Sequence, residues 1–208
     1  MLDLTGVVCE RGGRRLFQPL TLQVSPGQLL RVEGANGAGK TSLLRLMCGL
    51  MSPAEGDVRW RGQKISASRD DFGHELLYLG HAAALKDDLS PLENLLASCA
   101  LTGRTCKPLD GARALASAGL RGLENTLVRR LSQGQRKRSA LARLALSLAS
   151  PNPAPLWVLD EPFNALDTKA CSWLIDLIKA HISCGGAVVL TSHQDLDLLD
   201  TPHQVLSL

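Results

Sequence analysis

Aromatic residues are scarce in this 208-residue chain, at 3%, which argues against a surface that stacks the bases of single-stranded nucleic acid. With 45% apolar residues the core must instead be built from Leu, Ala and Val. The six cysteines (Cys9, Cys48, Cys99, Cys106, Cys171, Cys184) form no CxxC pair and no metal-ligand spacing, so they read as thiols of a reducing compartment. No uninterrupted apolar run approaches the roughly 20 residues that span a bilayer. The start, MLDLTGVVCERGG, also lacks the basic and then apolar pattern of a secretory signal. A cytoplasmic chain that crosses no membrane by itself is expected. Internal repeats and low-complexity segments are missing too, and the net charge of +3 is modest. Its local clusters are Arg11 to Arg15, best taken as solvated, and Arg129 to Arg138.

What is there is an α/β order. The runs LDLTGVV, LTLQV and LLRVEG predict strands, the last ending in a glycine-rich turn before the apolar helix TSLLRLMCGL. DVRWRG and LLYLG add two strands. In SPLENLLASCALTG, Ser90 is placed as a helix cap, with Pro91 at the first helical position and Glu93 three residues after the cap. Helical pattern continues from Gly111 to Gly119 and again from Ser132. Prolines 151, 153 and 155 then break the chain before the strand LWVLDEP, the helix WLIDLIKAHISCGG and the strand AVVLTSH. The expected fold is a mixed sheet, mostly parallel and flanked by helices, with an antiparallel N-terminal part and a helical insertion. We expect one domain over 1–208, with 1–81 and 151–208 as its core and 82–150 as a helical subdomain.

GANGAGKTS, Gly34 to Ser42, carries the strongest chemical signal. It fits GxxxxGK[ST] and lies between a predicted strand and a predicted helix, the context that motif requires. The backbone of Gly34, Ala35, Asn36, Gly37, Ala38 and Gly39 can turn its N–H groups toward a polyphosphate. Lys40 can reach the β- and γ-phosphates and the Thr41 hydroxyl can hold Mg²⁺, with Ser42 closing the motif. LWVLDEP ends an apolar strand in Asp160, at the sheet edge where ligands of such folds collect, and Asp160 is assigned to Mg²⁺. Glu161 follows it and can orient or deprotonate an attacking water. A third feature is the helix start RRLSQGQRKRS, with Ser132 at the cap and Gly134 in the first turn. Free N–H groups and the helix dipole there favour an anion.

GANGAGKTS, LSQGQ, LWVLDEP, the ALD of Ala165 to Asp167 and the TSH ending at His193 together resemble the ordered motifs of ABC-type ATPases, over nearly the whole chain. The resemblance implies ATP and Mg²⁺ as ligands. It also implies that Leu131, Ser132, Gln133, Gly134 and Gln135 act on the γ-phosphate of ATP held by a second copy, in an ATP-sandwich dimer. His193 would hold Glu161 and the water in line, so Glu161, His193 and Lys40 are the implied catalytic set. Closer similarity, in CERGGRRLF, EGANGAGKTSLLRLMCGL, LGHAAALKDDLSPLENL and LWVLDEPFNALD, is to the ATPase subunits of cytochrome c maturation haem exporters. That likeness implies integral membrane partners of the CcmB and CcmC kind, no nucleic acid, and a peripheral place on the cytoplasmic face of the inner membrane. Coupling ATP to haem export, or to release of a haem-loaded chaperone, is then the expected function. The alternatives are an ATPase of another ABC exporter and a soluble ABC ATPase; the latter commonly carries long coiled coils or two ATPase halves, and neither is found here.

Two positions depart from the wider family. Where an aromatic residue commonly stacks on adenine, this chain has Arg11, whose guanidinium plane can also stack on a base. Where a glutamine commonly follows the strand LLYLG, it has His81. His81 is either a residue beside Mg²⁺ or an ordinary loop histidine.

Overall fold

The computed structural model describes residues 1–192 and 203–208. Two sheets share one core. The first is antiparallel, with β1 (Leu2–Val8), β4 (Leu20–Val24), β6 (Glu55–Trp60) and β7 (Gln63–Lys64) in the order β4-β1-β6-β7. A small hairpin, β2 (Glu10–Arg11) and β3 (Arg14–Arg15), turns through Gly12 and Gly13, both at positive φ as a tight hairpin requires. The second sheet is wholly parallel. Its strands β5 (Leu29–Glu33), β8 (Leu76–Leu79), β9 (Leu156–Leu159), β10 (Ala187–Thr191) and β11 (His203–Ser207) are ordered β11-β5-β10-β9-β8.

Every residue of β9 and β10 is buried, as expected of strands covered on both faces. Successive side chains point to opposite faces. Val158, Leu156 and Val189 join Leu30 and Val32 in a core shared with α1 (Lys40–Met47) and the antiparallel sheet. Trp157, Leu159, Val188 and Leu190 join the opposite core, against α5 (Gln133–Leu148) and α6 (Thr168–Ser183). A third cluster, around Leu95, Leu115, Leu120 and Ala142, ties α3 (Pro91–Leu101) and α4 (Pro108–Ser117) to α5. Ser90 caps α3 in a reciprocal box: its Oγ accepts from the Glu93 amide at 3.2 Å, and Glu93 Oε2 accepts from the Ser90 amide at 2.7 Å.

The strand and helix order follows the sequence pattern, apart from the two-residue strands β2, β3 and β7, too short to show a period, and from three further differences. α4 starts at Pro108 rather than Gly111, because proline at the first helical position gives up an N–H that has no intrahelical acceptor there. α2 (Arg69–Glu75) buries one residue, Phe72, so it carries no helical apolar stripe to detect. β11 is an exposed edge strand of mixed polarity. Among the described residues no helix is long and apolar enough to cross a membrane.

One buried titratable group links this core to pH. His181 on α6 is 2% exposed and stacks flat on Trp157, with ring centroids 3.8 Å apart and planes 3° from parallel. Gly186 makes the room, since a Cβ there would overlap the imidazole. Burial pushes the His181 pKa down to about 4, only partly offset by the backbone of Ala187 and Pro155. The folded state therefore keeps the ring neutral while the unfolded chain takes up a proton below about pH 6.5. The stabilisation is complete above that pH and declines as pH falls from about 6.5 to about 4, by an amount on the order of 3 kcal/mol. Urea midpoints measured from pH 8 to pH 4 should fall over this window. His181→Phe, which retains the stack without the titration, should flatten that part of the slope; an unchanged profile in the variant would contradict it.

Candidate functional site

The site lies along the carboxyl edge of the parallel sheet, where β5, β8, β9 and β10 all end. Leaving β5, the chain turns through Gly34, Gly37 and Gly39, with φ of +143°, +87° and +104°. Two of these positions also demand glycine for space. A Cβ on Gly34 would stand 2.9 Å from the Leu208 carbonyl, and one on Gly39 3.1 Å from both Leu16 and Phe17. The loop runs directly into α1, so the first helical amides and the positive end of the helix dipole face the loop. Lys40, first residue of α1, is 8% exposed, and its Nζ donates to the carbonyls of Gly34 at 2.7 Å and Ala35 at 3.2 Å.

β9 delivers Asp160 beside this loop. The carboxylate is 2% exposed and both oxygens are engaged: Oδ2 accepts from Thr41 Oγ1 at 2.9 Å and Oδ1 from Thr191 Oγ1 at 3.0 Å. Thr191, the end of β10, is fully buried, and its hydroxyl oxygen in turn accepts from the Glu161 amide at 2.8 Å. Glu161 adopts a left-handed backbone, φ +48°, and its carbonyl accepts from Lys137 Nζ at 2.9 Å. The sequence pattern did not single out Thr191 or Lys137. The first lies in the TSH motif, where only His193 was given a role, and nothing local marked the second.

An open cleft of about 480 Å³ joins these groups. Asn36, Gly37, Gly39, Lys40, Thr41 and Ser42 line it from one side and Asp160, Glu161 and Asn164 from another. Arg11 and His81, the two departures from the family pattern, also border it. Gly34 and Ala35 meet it through Lys40, and Ala38 closes the turn by donating its amide to the Ala35 carbonyl at 3.1 Å. His193 lies outside the described residues. Leu131 to Gln135 do not border the cleft. They cap α5, where Ser132 Oγ accepts from the Gln135 amide at 3.2 Å and Gln135 Oε1 accepts from the Ser132 amide at 2.9 Å. This box leaves the first-turn amides of Gln133 and Gly134 without intrahelical acceptors, on a surface where Ser132 and Gln133 are exposed.

The donor set beside the P-loop suits a small hard cation. A threonine hydroxyl and a carboxylate oxygen sit within 2.9 Å of each other, and no cluster of three or more His, Cys, Asp or Glu that could hold a metal occurs among the described residues. Mg²⁺ fits such a place, because it keeps several waters and binds through one or two protein oxygens and the phosphates of its nucleotide.

A family model described as ABC transporter matches residues 17–164. The cytochrome c biogenesis ATP-binding export protein CcmA of Methylococcus capsulatus is 52% identical over 193 residues, 93% of this chain and 91% of that protein. Its counterpart in Dechloromonas aromatica is 46% identical over 198 residues, 95% of each chain. In fold, the chain is similar to a dimeric ATP-binding cassette in a post-hydrolysis state bound to ADP and Pi, with a TM-score of 0.84 at 23% identity, covering 100% of this chain and 94% of that one. The chain belongs to the ABC transporter family, and within it to the family of the cytochrome c biogenesis ATP-binding export proteins.

Proposed function

We propose that this ATPase binds MgATP between two copies of itself and couples its hydrolysis to export of haem, or release of a haem-loaded carrier, in cytochrome c biogenesis. The observation that carries the shared site is the separation of its halves: the phosphate loop, Asp160 and Glu161 border one cleft, and Leu131 to Gln135 stand outside it with first-turn amides on an open surface. An anion-binding helix start without an anion site of its own suits the γ-phosphate held by another copy. Dimeric cassettes of the same fold support this arrangement. In this reading 1–81 and 151–208 carry the nucleotide, and the helical part, 82–150, presents the start of α5 to the other copy.

The lining of the cleft supports the roles of its own residues, and the role of His193 rests on the resemblance to ABC-type ATPases. Lys40 and the amides of 34–42 bind the β- and γ-phosphates. Thr41 and Asp160 would hold Mg²⁺, which when bound neutralises phosphate charge, and His81, which borders the same cleft, would act on that ion or its water. Arg11 is at the rim where a base could stack. Glu161 accepts a proton from the attacking water and His193 holds the γ-phosphate end in line. Membrane subunits of the CcmB and CcmC kind anchor the ATPase at the cytoplasmic face of the inner membrane and supply the passage.

The test is to purify the chain with its membrane partner and record the haem absorption spectrum with and without MgATP. A haem band that changes with ATP is expected; a partner without haem, or a band indifferent to ATP, would count against haem export. Gly134→Asp should abolish the ATP-dependent change, since its carboxylate repels the γ-phosphate, while the isolated chain still binds ATP. Because a Cβ at Gly134 comes 3.0 Å from the Ala165 carbonyl, Ser132→Arg, which leaves that contact alone, should behave the same way. Loss of nucleotide affinity in the isolated chain would contradict the shared site.

A further inference from the structure

We infer that Lys137 is a positioning residue for hydrolysis: from the second turn of α5 its ammonium holds the Glu161 peptide, and with it the carboxylate that faces the attacking water. The inference rests on the reading of Glu161 as the base. Glu161 has φ +48°, a left-handed conformation that its Cβ disfavours and that persists only where the surroundings impose it. Here one bond does so on each side of the residue. Its amide donates to the buried Thr191 hydroxyl at 2.8 Å, and its carbonyl accepts from Lys137 Nζ at 2.9 Å. The first bond comes from the core sheet. The second comes from α5, the helix whose start carries LSQGQ, so Glu161 is held between the two parts of the molecule.

Lys137 is not a solvated surface lysine. It is half-buried, and it borders a small cavity together with Leu79, Gly80, Ala82 and Ala83, the segment that carries His81. Burial lowers its pKa, while the carboxylates of Asp160 and Glu161 pull it back up. The other cations of this run have different partners: Arg136 pairs with Asp87, Arg129 with Asp88, and Arg138 Nη1 donates to the Gly119 carbonyl at 3.4 Å. Binding the backbone carbonyl fixes the peptide plane from which the Glu161 side chain leaves.

The test is steady-state ATPase kinetics of Lys137→Met and Lys137→Arg, with ATP dissociation constants and thermal melts taken alongside. Lys137→Met should lower kcat by about tenfold or more while KM and the ATP dissociation constant stay within about twofold, because a base displaced by about 1 Å loses rate rather than binding. Lys137→Arg, whose N–H groups can reach the same carbonyl, should recover most of the lost kcat. Combined with Glu161→Gln, Lys137→Met should change the residual rate by less than about twofold, since the group it positions is gone. Wild-type kcat in a folded Lys137→Met, or rate losses that simply add in the double variant, would overturn the inference. If Lys137→Met does not fold, Lys137→Gln replaces it: a lowered kcat at unchanged ATP affinity supports the role, and wild-type kcat overturns it. Failure of the underlying reading looks different: wild-type turnover in Glu161→Gln alone removes Glu161 as base whatever Lys137 shows.

Discussion

Lys40→Ala is expected to lower the steady-state rate of ATP hydrolysis by about 10²- to 10³-fold and to leave the thermal melt nearly unchanged. The ammonium bridges the carbonyls of Gly34 and Ala35 across the mouth of the phosphate loop. When a triphosphate occupies that loop, the same positive charge faces the oxygens on which the transition state gathers negative charge, at a site already fixed by α1. Its loss withdraws stabilisation that water, screening freely, does not replace. The fold should tolerate the change for a separate reason. The two carbonyls released belong to Gly34, which is half-buried, and Ala35, which is exposed, so water can donate to them and no fully buried acceptor is stranded. ATP affinity should fall as well, by less than the rate. A folded variant with wild-type turnover would remove Lys40 from the site.

Which parts of this site were legible in the sequence depends on how far apart the interacting residues lie along the chain. The phosphate loop is local: glycines, lysine and threonine are fixed by one turn between β5 and α1, and their spacing alone identifies them. The same holds for both capping boxes, closed by residues three apart. The pairing of Asp160 with Thr41 and Thr191 is not local. It depends on β10 lying between β5 and β9, an order set by packing and crossover geometry and invisible to any window of sequence. Lys137 was hidden differently. It stands in the basic run Arg129 to Arg138, and only the packing of α5 against the core brings this cation to the Glu161 carbonyl, while Arg136 meets Asp87 and Arg138 the Gly119 carbonyl.

Glu161→Gln is expected to reduce hydrolysis by about 10²- to 10⁴-fold, the range over which a general base contributes, while ATP binding persists. The backbone argument makes this variant informative. Glu161 is held through its amide by Thr191 and through its carbonyl by Lys137, and both bonds go to the backbone, so the glutamine side chain should leave from the same left-handed backbone in nearly the same shape. What disappears is the carboxylate as proton acceptor for the attacking water. Removing a negative charge beside the triphosphate also relieves repulsion, so affinity for ATP should be equal or higher. If ATP joins two copies, blocking its hydrolysis should then trap the joined state. Gel filtration in MgATP should show the variant at twice the mass of one chain, in complex with its membrane partner if the isolated chain associates too weakly, with the wild type returning to single chains as ATP is consumed. Rapid hydrolysis in a folded variant would exclude Glu161 as the base, whereas a stalled enzyme that remains a single chain with partner present would leave the base assignment standing and sink the two-copy site.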